Sequence, residues 1–279
     1  MASSLAIKRR IKSVKSIAQV TKTMQVIAAS RVKKVQESAI KLKPYSVGIE
    51  NILNIISKQY DLSEDIFFNK CAGDNLVILI SPNRGQAGGL PSSIINKTFK
   101  WLLENNEVKN SFICINKKGF KALKKQSIDV LSFYDNLNYK TDLINIDPIV
   151  ADIVSKYSTQ EYANVFIIYS RFINLIKQDV LVEQLLPITY KNQFDEQNDE
   201  YLIEPDAKDI LKDLIPHYIE MKIFDAIVNN SASEESARMI AMKNATDNAK
   251  DMISDLVLSY NKERQLKITQ QVAEISAAL

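Results

Sequence analysis

Both ends of the chain carry apolar and small residues at the spacing of a coiled coil. The C-terminal stripe consists of Met239, Met242, Thr246, Ala249, Ile253, Leu256 and Tyr260. The N-terminal stripe consists of Ile7, Ile11, Val14, Ala18, Thr21, Gln25, Ala28, Val32, Val35, Ala39 and Leu42. Steps of three and four residues alternate in both stripes, which is the a/d pattern of helices packed side by side. Each segment is therefore predicted to be a helix with a helical partner.

Small residues are concentrated in the C-terminal segment. Ala237, Ala241, Ala245 and Ala249 follow one another at intervals of four. Side chains this small indicate a close approach of the two helices rather than packing by bulky knobs. We expect a seam in which Ala245, Ala249, Ile253 and Leu256 face the N-terminal helix.

Proline and glycine are confined to the middle of the chain. All seven prolines and all six glycines lie between Pro44 and Pro216. Because both residues are unfavourable inside helices, residues 1–43 and 217–279 could form helices roughly 65 and 95 Å long. Such lengths predict an antiparallel pair rooted in a central domain. Two ordinary core helices in one globule are the alternative, but they would need a larger core than the middle region supplies.

The middle region alternates between strand-like and helical segments. Short apolar runs occur at 75–81, 111–116, 128–133, 164–170 and 181–188, with helical stretches between the first four. This βαβ pattern predicts a Rossmann-like α/β domain with a mostly parallel sheet and helices on its faces. The predicted domains are an N-terminal coiled-coil helix (1–58), the α/β domain (59–205) and a C-terminal coiled-coil helix (206–279).

Candidate catalytic chemistry is sparse. The loop SPNRGQAGG follows the first predicted strand but lacks both common phosphate-binding patterns, so we expect a tight turn that enters a helix. His217, the only histidine, lies beside Pro216 at an expected helix start, and no cysteine or carboxylate pattern indicates a ligand or general base, so we expect it at the surface or in an interface. Cys71 and Cys114 lack metal or redox spacing. No catalytic residue, metal ligand or cofactor site is predicted.

Charge is distributed unevenly along the chain. Residues 1–43 contain eleven Lys or Arg and one Glu, a balance of +10, so the net charge of +3 leaves −7 for the rest. A basic rod can bind nucleic-acid phosphates or lie against acidic protein surfaces. The regular apolar stripe and the lack of aromatic residues before Tyr45 favour a protein partner. A coiled-coil scaffold or nucleic-acid-binding module that uses the basic helix remains the alternative.

Motifs at both ends resemble the gamma subunit of the F-type ATP synthase. IKRRIKSVKSIAQVTKTMQVIAASRVKKVQ followed by KPY is similar to the N-terminal helix of that family. SARMIAMKNATDNAKDMISDL followed by YNKERQLKITQQVAEI is similar to its C-terminal signature, and INKKG, YSRFIN, LLPI and YLIEPD fall between in the family's order. The resemblance implies a central rotor shaft that couples ion flow to ATP synthesis or hydrolysis by rotation. It implies no catalysis and no cofactor in the chain itself.

The resemblance also implies partners and contact residues. The coiled coil would pass through a ring of three alpha and three beta subunits. The α/β domain would form a foot outside this ring and would be joined to the epsilon subunit and to the membrane ring of c subunits. Neither nucleic acid nor a small-molecule substrate is implied. Contacts with beta are implied for Lys22, Met24, Arg238, Gln265 and Thr269, and Arg9 is added to them from the basic stripe of Arg9, Arg10 and Lys12. Contacts with the c ring are implied for Tyr201 and Glu204.

The implied location is the cytoplasmic side of a bacterial plasma membrane, as a peripheral protein. The matrix side of the mitochondrial inner membrane is the alternative. The chain has no run of about 18 apolar residues that could span a bilayer.

Four features show how far the chain follows the family and the heptad pattern. The family commonly has Asp-Arg-Gly-Leu-Cys-Gly-Gly where this chain has the more polar NRGQAGG at 83–89, and the C-terminus is about three residues shorter than in many relatives. No cysteine-bearing regulatory insertion is present, which argues against thiol control. After Tyr260 the apolar residues are Ile268, Val272, Ile275 and Leu279 instead of the heptad positions 263, 267, 270 and 274. Residues 265–279 are therefore predicted to leave the N-terminal helix and form a separate tip held by the ring.

Overall fold

A computed structural model of the chain describes residues 4–59, 62, 65–69, 73–189 and 206–277. The elements in order are α1 (Ser4–Gln59), β1 (Asp74–Ile80), α2 (Leu90–Glu104), β2 (Asn110–Ile115), α3 (Lys117–Lys125), β3 (Val130–Tyr134), a 3₁₀ turn (Leu143–Asn145), α4 (Asp147–Ser158), β4 (Tyr162–Phe172), β5 (Gln178–Leu186) and α5 (Ala207–Ala277). All five predicted strands and the three predicted helices between them are confirmed.

The five strands form one sheet in the order β3-β2-β1-β4-β5. β1 pairs in parallel with both β2 and β4, and β2 pairs in parallel with β3. Only β5 is antiparallel to its neighbour, because a short hairpin joins it to β4. The prediction of a mostly parallel sheet is therefore confirmed.

Both faces of the sheet are covered by helices. Leu76, Ile78 and Ile80 of β1 point into a core shared with α1, α4 and α5, whereas Val77 and Leu79 point into a second core shared with α2 and α3. This alternation explains why the sequence of β1 is apolar throughout, since a strand buried on both faces has no solvent side.

Two compact units divide the chain. One unit is Arg31–Ala237, which contains the sheet and the inner parts of both long helices, and the other combines Met1–Ser30 with Arg238–Leu279. The three-part division predicted from the sequence falls near the helix ends, at Gln59 and Ala207. That division stays a prediction.

Pro44 lies inside α1 and Pro216 lies inside α5, so the long helices extend beyond the proline-free stretches 1–43 and 217–279. The expectation of a helix start at His217 is therefore wrong. An interior proline costs about 3 kcal/mol, but each fully buried large aliphatic side chain contributes about 1.5 to 3 kcal/mol. The turns beside the prolines bury several such side chains, namely Ile49, Leu53, Ile56, Leu211 and Ile215. Packing on the sheet therefore outweighs the local penalty.

A first prediction concerns Gly119 at the start of α3. A Cβ atom at this position would lie 2.8 Å from Leu79 Cδ2 and 3.1 Å from Ser81 Cβ, and both neighbours are buried in β1 or directly after it. We expect Gly119→Ala to lower the free energy of unfolding by about 1 to 3 kcal/mol through overpacking, as measured by chemical denaturation.

Gly48→Ala is the matched control. Gly48 lies inside α1, and a Cβ atom added there would have no heavy atom within 4 Å. The same substitution should there raise stability by about 0.5 to 1 kcal/mol, because alanine favours the helix. Equal stability of Gly119→Ala and the parent would contradict the proposed close packing of α3 on β1.

Candidate functional site

The paired ends of α1 and α5 form a coiled-coil seam in the unit of Met1–Ser30 and Arg238–Leu279. Every stripe residue that lies in this unit is buried or half-buried, whereas the residues between stripe positions on α1 are mostly exposed. Of the predicted seam residues, Ala249 is buried, and Ala245, Ile253 and Leu256 are half-buried. The predicted coiled-coil periodicity is therefore confirmed.

Hydrogen bonds place the two helices antiparallel in this unit. Thr246 Oγ1 donates to Thr21 Oγ1 at 2.8 Å, and Lys267 Nζ donates to Ser4 Oγ at 3.4 Å. Thr21 Oγ1 in turn donates to the carbonyl oxygen of Ile17 at 3.0 Å. Thr21 interrupts the apolar stripe in the sequence, but its hydroxyl is satisfied in the seam, so it adds a directional contact there.

The C-terminal end of α5 is exposed. Tyr260 and Glu263 are half-buried, and every residue from 264 to 276 is exposed. Ile268, Val272 and Ile275 have exposed fractions of 50%, 58% and 64%. The apolar face of this segment is therefore not used within the described chain. The bond between Lys267 and Ser4 places the start of α1 beside residue 267, so residues 265–267 have not left α1 as predicted.

The outer face of α1 is both basic and apolar. Its exposed cations include Lys8, Arg9, Arg10, Lys12, Lys15 and Lys22. Exposed apolar residues lie among or shortly after them, namely Leu5, Ile17, Val20, Val26 and Ile27. A face of this composition suits a protein interface better than a purely electrostatic contact, because apolar side chains contribute by removal from water.

The residues predicted to contact beta have different environments. Arg9, Lys22, Gln265 and Thr269 are exposed and Met24 is half-buried, whereas Arg238 is only 7% exposed. Tyr201 and Glu204, predicted to contact the c ring, lie outside the described residues. All of these contacts stay predictions.

Three successive side chains of α5 bind three different parts of the unit Arg31–Ala237. Ser233 Oγ donates to the carbonyl oxygen of Ser170 at 3.0 Å, at the end of β4. Glu234 accepts backbone N–H bonds from Asn83 at 3.2 Å and from Arg84 at 3.3 Å, in the loop after β1. Glu235 forms an ion pair with Arg31 of α1 at 3.2 Å. We name Ser233, Glu234 and Glu235 with these partners the junction cluster.

The loop after β1 is a turn into α2, as expected. It contains two residues in the left-handed region, Gln86 at φ 66° and Gly88 at φ 57°, and Ser81 Oγ accepts the N–H of Gly119 at 2.8 Å. In open α/β sheets, ligands bind outside the carboxyl ends of the strands, and phosphate is commonly held there by backbone N–H groups. Here the Glu234 carboxylate binds two of those groups.

A polar pocket of about 190 Å³ lies beside the junction cluster. Arg31, Arg84 and Lys140 line it together with Glu234 and Glu235. Lys117 donates to Asp135, next to the pocket-lining Asn136, and this hydrogen bond holds the pKa of the Asp135 carboxyl below its usual value. Three cations and two carboxylates therefore line the pocket, and the carboxylates are bonded to the loop after β1 and to Arg31.

Sequence reasoning missed the junction cluster. The signal was the composition of SASEESA at 231–237, which combines small residues with two adjacent glutamates. Ser231, Ala232, Ser233, Glu234, Glu235 and Ser236 are all buried. A single sequence does not reveal that both glutamates are buried, since charged residues on a helix are usually on its solvent face.

The sequence analysis singled out His217, Cys71 and Cys114, of which Cys71 lies outside the described residues. His217 is exposed, as expected, and its Nδ1 lies 3.3 Å from Glu220 Oε2 one turn later. Cys114 is fully buried in β2, and burial raises the pKa of its thiol to about 12. A thiol held protonated in this way is a poor nucleophile.

Over the described residues, no group of three or more His, Cys, Asp or Glu side chains is arranged to hold a metal ion. The helices in those same parts of the chain include none that is long and apolar enough to span a membrane.

Comparison with known proteins gives matches along the whole chain. Residues 3–279 match the family model described as ATP synthase. The ATP synthase gamma chain of Dehalococcoides mccartyi is 36% identical over 278 residues, covering 99% of this chain and 97% of that protein. The gamma chain of Geotalea daltonii is 34% identical with the same coverage.

Solved structures share the fold. A chain of the Euglena gracilis mitochondrial ATP synthase, in a structure of OSCP/F1/c-ring, aligns with a TM-score of 0.67 and 17% identity over 99% of this chain and 93% of that chain. A chain of the Tetrahymena thermophila mitochondrial ATP synthase, in a structure of the central stalk/c-ring, aligns with a TM-score of 0.64 and 22% identity over 81% of this chain and 99% of that chain.

A second prediction concerns the seam. Ala249 is 7% exposed, so Ala249→Leu should overpack the contact with α1 and lower stability by about 1 to 3 kcal/mol. Asn248→Leu introduces the same side chain at the adjacent exposed position and should change stability by no more than about 0.5 kcal/mol. Thermal or chemical unfolding of the two variants measures the difference, and equal stabilities would show that the seam does not pack as described.

Proposed function

The chain belongs to the gamma chain family of the ATP synthase, whose members form the central stalk, and we propose that its α1–α5 coiled coil transmits rotation to a surrounding ring of three alpha and three beta subunits. The observation that carries this proposal is the seam itself. The coiled coil buries one stripe internally and leaves a mixed basic and apolar outer face on α1. A rod of this kind is internally paired and still has surface available for a ring around it.

The basic helix has a role in this proposal that needs no nucleic acid. Its exposed cations would lie against acidic or carbonyl-rich surfaces of the ring, and its exposed apolar side chains would add contacts that are not directional. Arg9, Lys22, Met24, Arg238, Gln265 and Thr269 are the proposed contacts with beta. Family membership favours the rotor over the alternative of a scaffold or nucleic-acid-binding module.

The chain is proposed to contribute no catalytic residues to the complex. What supports this is the occupation of the site that an α/β domain most often uses for phosphate. The backbone N–H groups of Asn83 and Arg84 are bound to Glu234, and a carboxylate at that position repels a phosphate group. Nucleotide chemistry would then belong to the alpha and beta subunits.

The α/β domain is proposed to be the foot of the rotor. Its partners would be the epsilon subunit and the membrane ring of c subunits, with Tyr201 and Glu204 at the c-ring contact. The similar mitochondrial structures include the c-ring, which supports this assignment. The bacterial origin of the relatives at 34% to 36% identity supports a peripheral position on the cytoplasmic side of a plasma membrane over the mitochondrial matrix alternative.

Co-purification tests the proposed function directly. A tagged chain produced together with the alpha and beta subunits of its own operon should retain both in threefold molar excess, and the complex should hydrolyse ATP. Retention of neither subunit would contradict the rotor assignment.

A third prediction concerns the basic face. Replacing Arg9, Arg10 and Lys12 together with glutamine removes three exposed positive charges from α1. We expect the variant to assemble more weakly with the alpha and beta subunits. Raising the salt concentration should reduce assembly of the parent more steeply than assembly of the variant, because salt screens the charges that only the parent carries. Native gels of complexes formed at increasing ionic strength measure both effects.

The control for this prediction removes three other exposed positive charges. Lys118, Lys121 and Lys125 lie on α3, on the α/β domain. Their replacement by glutamine changes the net charge equally and should leave assembly with the ring unaltered. Equal effects of the two triple variants would mean that only net charge matters.

A fourth prediction concerns the exposed C-terminal tip. Removing residues 269–279 deletes side chains that are exposed wherever they are described, so the isolated chain should keep its cooperative melting transition. Assembly with the alpha and beta subunits should be looser, since an apolar segment that would be surrounded by the ring is lost. If the truncated chain itself lost cooperative melting, the tip would belong to the intramolecular core and this role would be excluded.

A further inference from the structure

The junction cluster has a geometry that a merely stabilising set of contacts does not require. Successive residues of an α-helix are separated by about 100° around the axis. Ser233, Glu234 and Glu235 therefore point in three directions that together span about 200°. Their partners belong to three separate elements: the end of β4, the loop after β1, and α1.

This arrangement resists rotation of α5 about its own axis. Turning the helix in either direction displaces all three side chains from their partners, which lie on different sides of it. Glu234 lies between them and is held by two backbone N–H groups, one on each carboxylate oxygen. A bidentate contact fixes the orientation of a group as well as its distance.

The surroundings of the cluster make it rigid. Ser233 is fully buried, and Glu234 and Glu235 are 9% and 8% exposed. No residue of α5 from 226 to 237 is exposed, so the helix is enclosed around its whole circumference within the unit Arg31–Ala237. Water competes little for the bond of Ser233, and polar contacts in a buried network are stronger than on a surface. Arg31, the partner of Glu235, is 36% exposed.

A rotor needs this property at this position. If rotation enters the chain through the sheet domain, it passes into the two long helices, and α5 continues as one unbroken helix to residue 277. Apolar packing holds the helix by the fit of its side chains, but the hydrophobic effect itself has no preferred direction. Directional bonds on three sides supply what apolar packing lacks.

We propose that the junction cluster transmits torque between the sheet domain and α5, with Glu234 as the positioning residue that sets the rotational angle of the helix. This inference rests on the proposed rotor function. It assigns to Glu234 a role that is separate from contact with any partner subunit, because its bonding partners lie within its own chain.

Glu234→Gln tests the proposal with minimal change of shape. Glutamine keeps the length of the side chain but has one acceptor oxygen, so its amide group would face one of the two N–H donors. Asp247→Asn is the matched control. It also removes one negative charge from α5, but Asp247 is exposed and its ion pair is with Lys250, one turn along the same helix.

The measurement uses the assembled complex with its ring immobilised. A rod is attached through Lys121→Cys, at an exposed position of α3, in a chain that carries Cys71→Ser and retains the buried Cys114. The angular distribution of the rod is recorded while a non-hydrolysable ATP analogue stalls the ring. Glu234→Gln should broaden this distribution relative to both the parent and Asp247→Asn, because the sheet domain turns more easily around α5.

A second readout separates torque transmission from a purely structural role. In vesicles that contain the whole synthase, Glu234→Gln should lower the number of ions pumped per ATP hydrolysed, and Asp247→Asn should leave this ratio at the parent value. A structural defect that merely reduced the amount of complex would lower the rate of ion pumping and the rate of ATP hydrolysis together. An unchanged ratio of these two rates in Glu234→Gln would overturn the proposal.

Ser233→Ala extends the test if Glu234→Gln does not assemble. It deletes one neutral hydrogen bond without changing charge, and it should also broaden the angular distribution. Distributions as narrow as that of the parent in every variant that assembles would overturn the torque role. If the rod on the parent complex did not rotate with ATP at all, the rotor function itself would fail, so the two failures are distinguishable.

Discussion

The whole structure depends on the burial of one stripe of α5 by α1. Within the unit Arg31–Ala237, α1 and α5 share a core with the sheet, and the ion pair between Lys222 and Glu50 joins them at 2.6 Å. In the other unit no sheet is present among the described residues, and the two helices are held by their own seam. A two-helix seam buries little area, so its stability requires close approach, which explains the small residues at Ala28, Ala245 and Ala249. The hydrogen bond between Thr21 and Thr246 helps to fix the register of α1 against α5.

Most of the fold was predictable because it rests on periodicity. Strand and helix positions in the middle region follow from short apolar runs, and the coiled coil follows from steps of three and four residues. The helix ends were not predictable in the same way. Pro44 and Pro216 look like natural boundaries, but burial of residues such as Ile49 and Leu211 on the sheet extends both helices past them. Tertiary packing overrides local preference where several buried side chains oppose a single proline.

The functional features were predictable only where they repeat along the sequence. The basic face of α1 and the change of apolar face after Tyr260 are both patterns, and both appear in the structure as exposed surfaces. The junction cluster is not a pattern. Glu234 bonds to Asn83 and Arg84, about 150 positions earlier in the chain. The side chains of these two residues do not indicate the contact, because the donors are their backbone N–H groups. Contacts of this kind become visible only when the sheet topology brings the loop after β1 to α5.

The same loop shows how backbone donors at the carboxyl end of a strand can be bound by a side chain of the same chain. The carboxyl end of β1 has a turn that leads into a helix, with left-handed residues at Gln86 and Gly88. Backbone N–H groups in such a turn have the polarity that attracts a phosphate. Here the carboxylate of Glu234 in α5 is bound to two of them. In the proposed torque role, this contact would anchor α5 to the sheet.

The exposed tip gives the last constraint on how the shaft works. Isolated helices of about 12 to 15 residues are marginally stable in water, and residues 264–276 have no buried face of their own. Ile268, Val272 and Ile275 nevertheless form an apolar row at helical spacing, which is exposed in the isolated chain. The segment is helical as the end of α5, and burial of this row by a surrounding surface would stabilise it further. An apolar sleeve meets this need without directional bonds, so it could order the tip while leaving it able to turn. The shaft would then use directional bonds where rotation must be transmitted and non-directional contacts where rotation must be allowed.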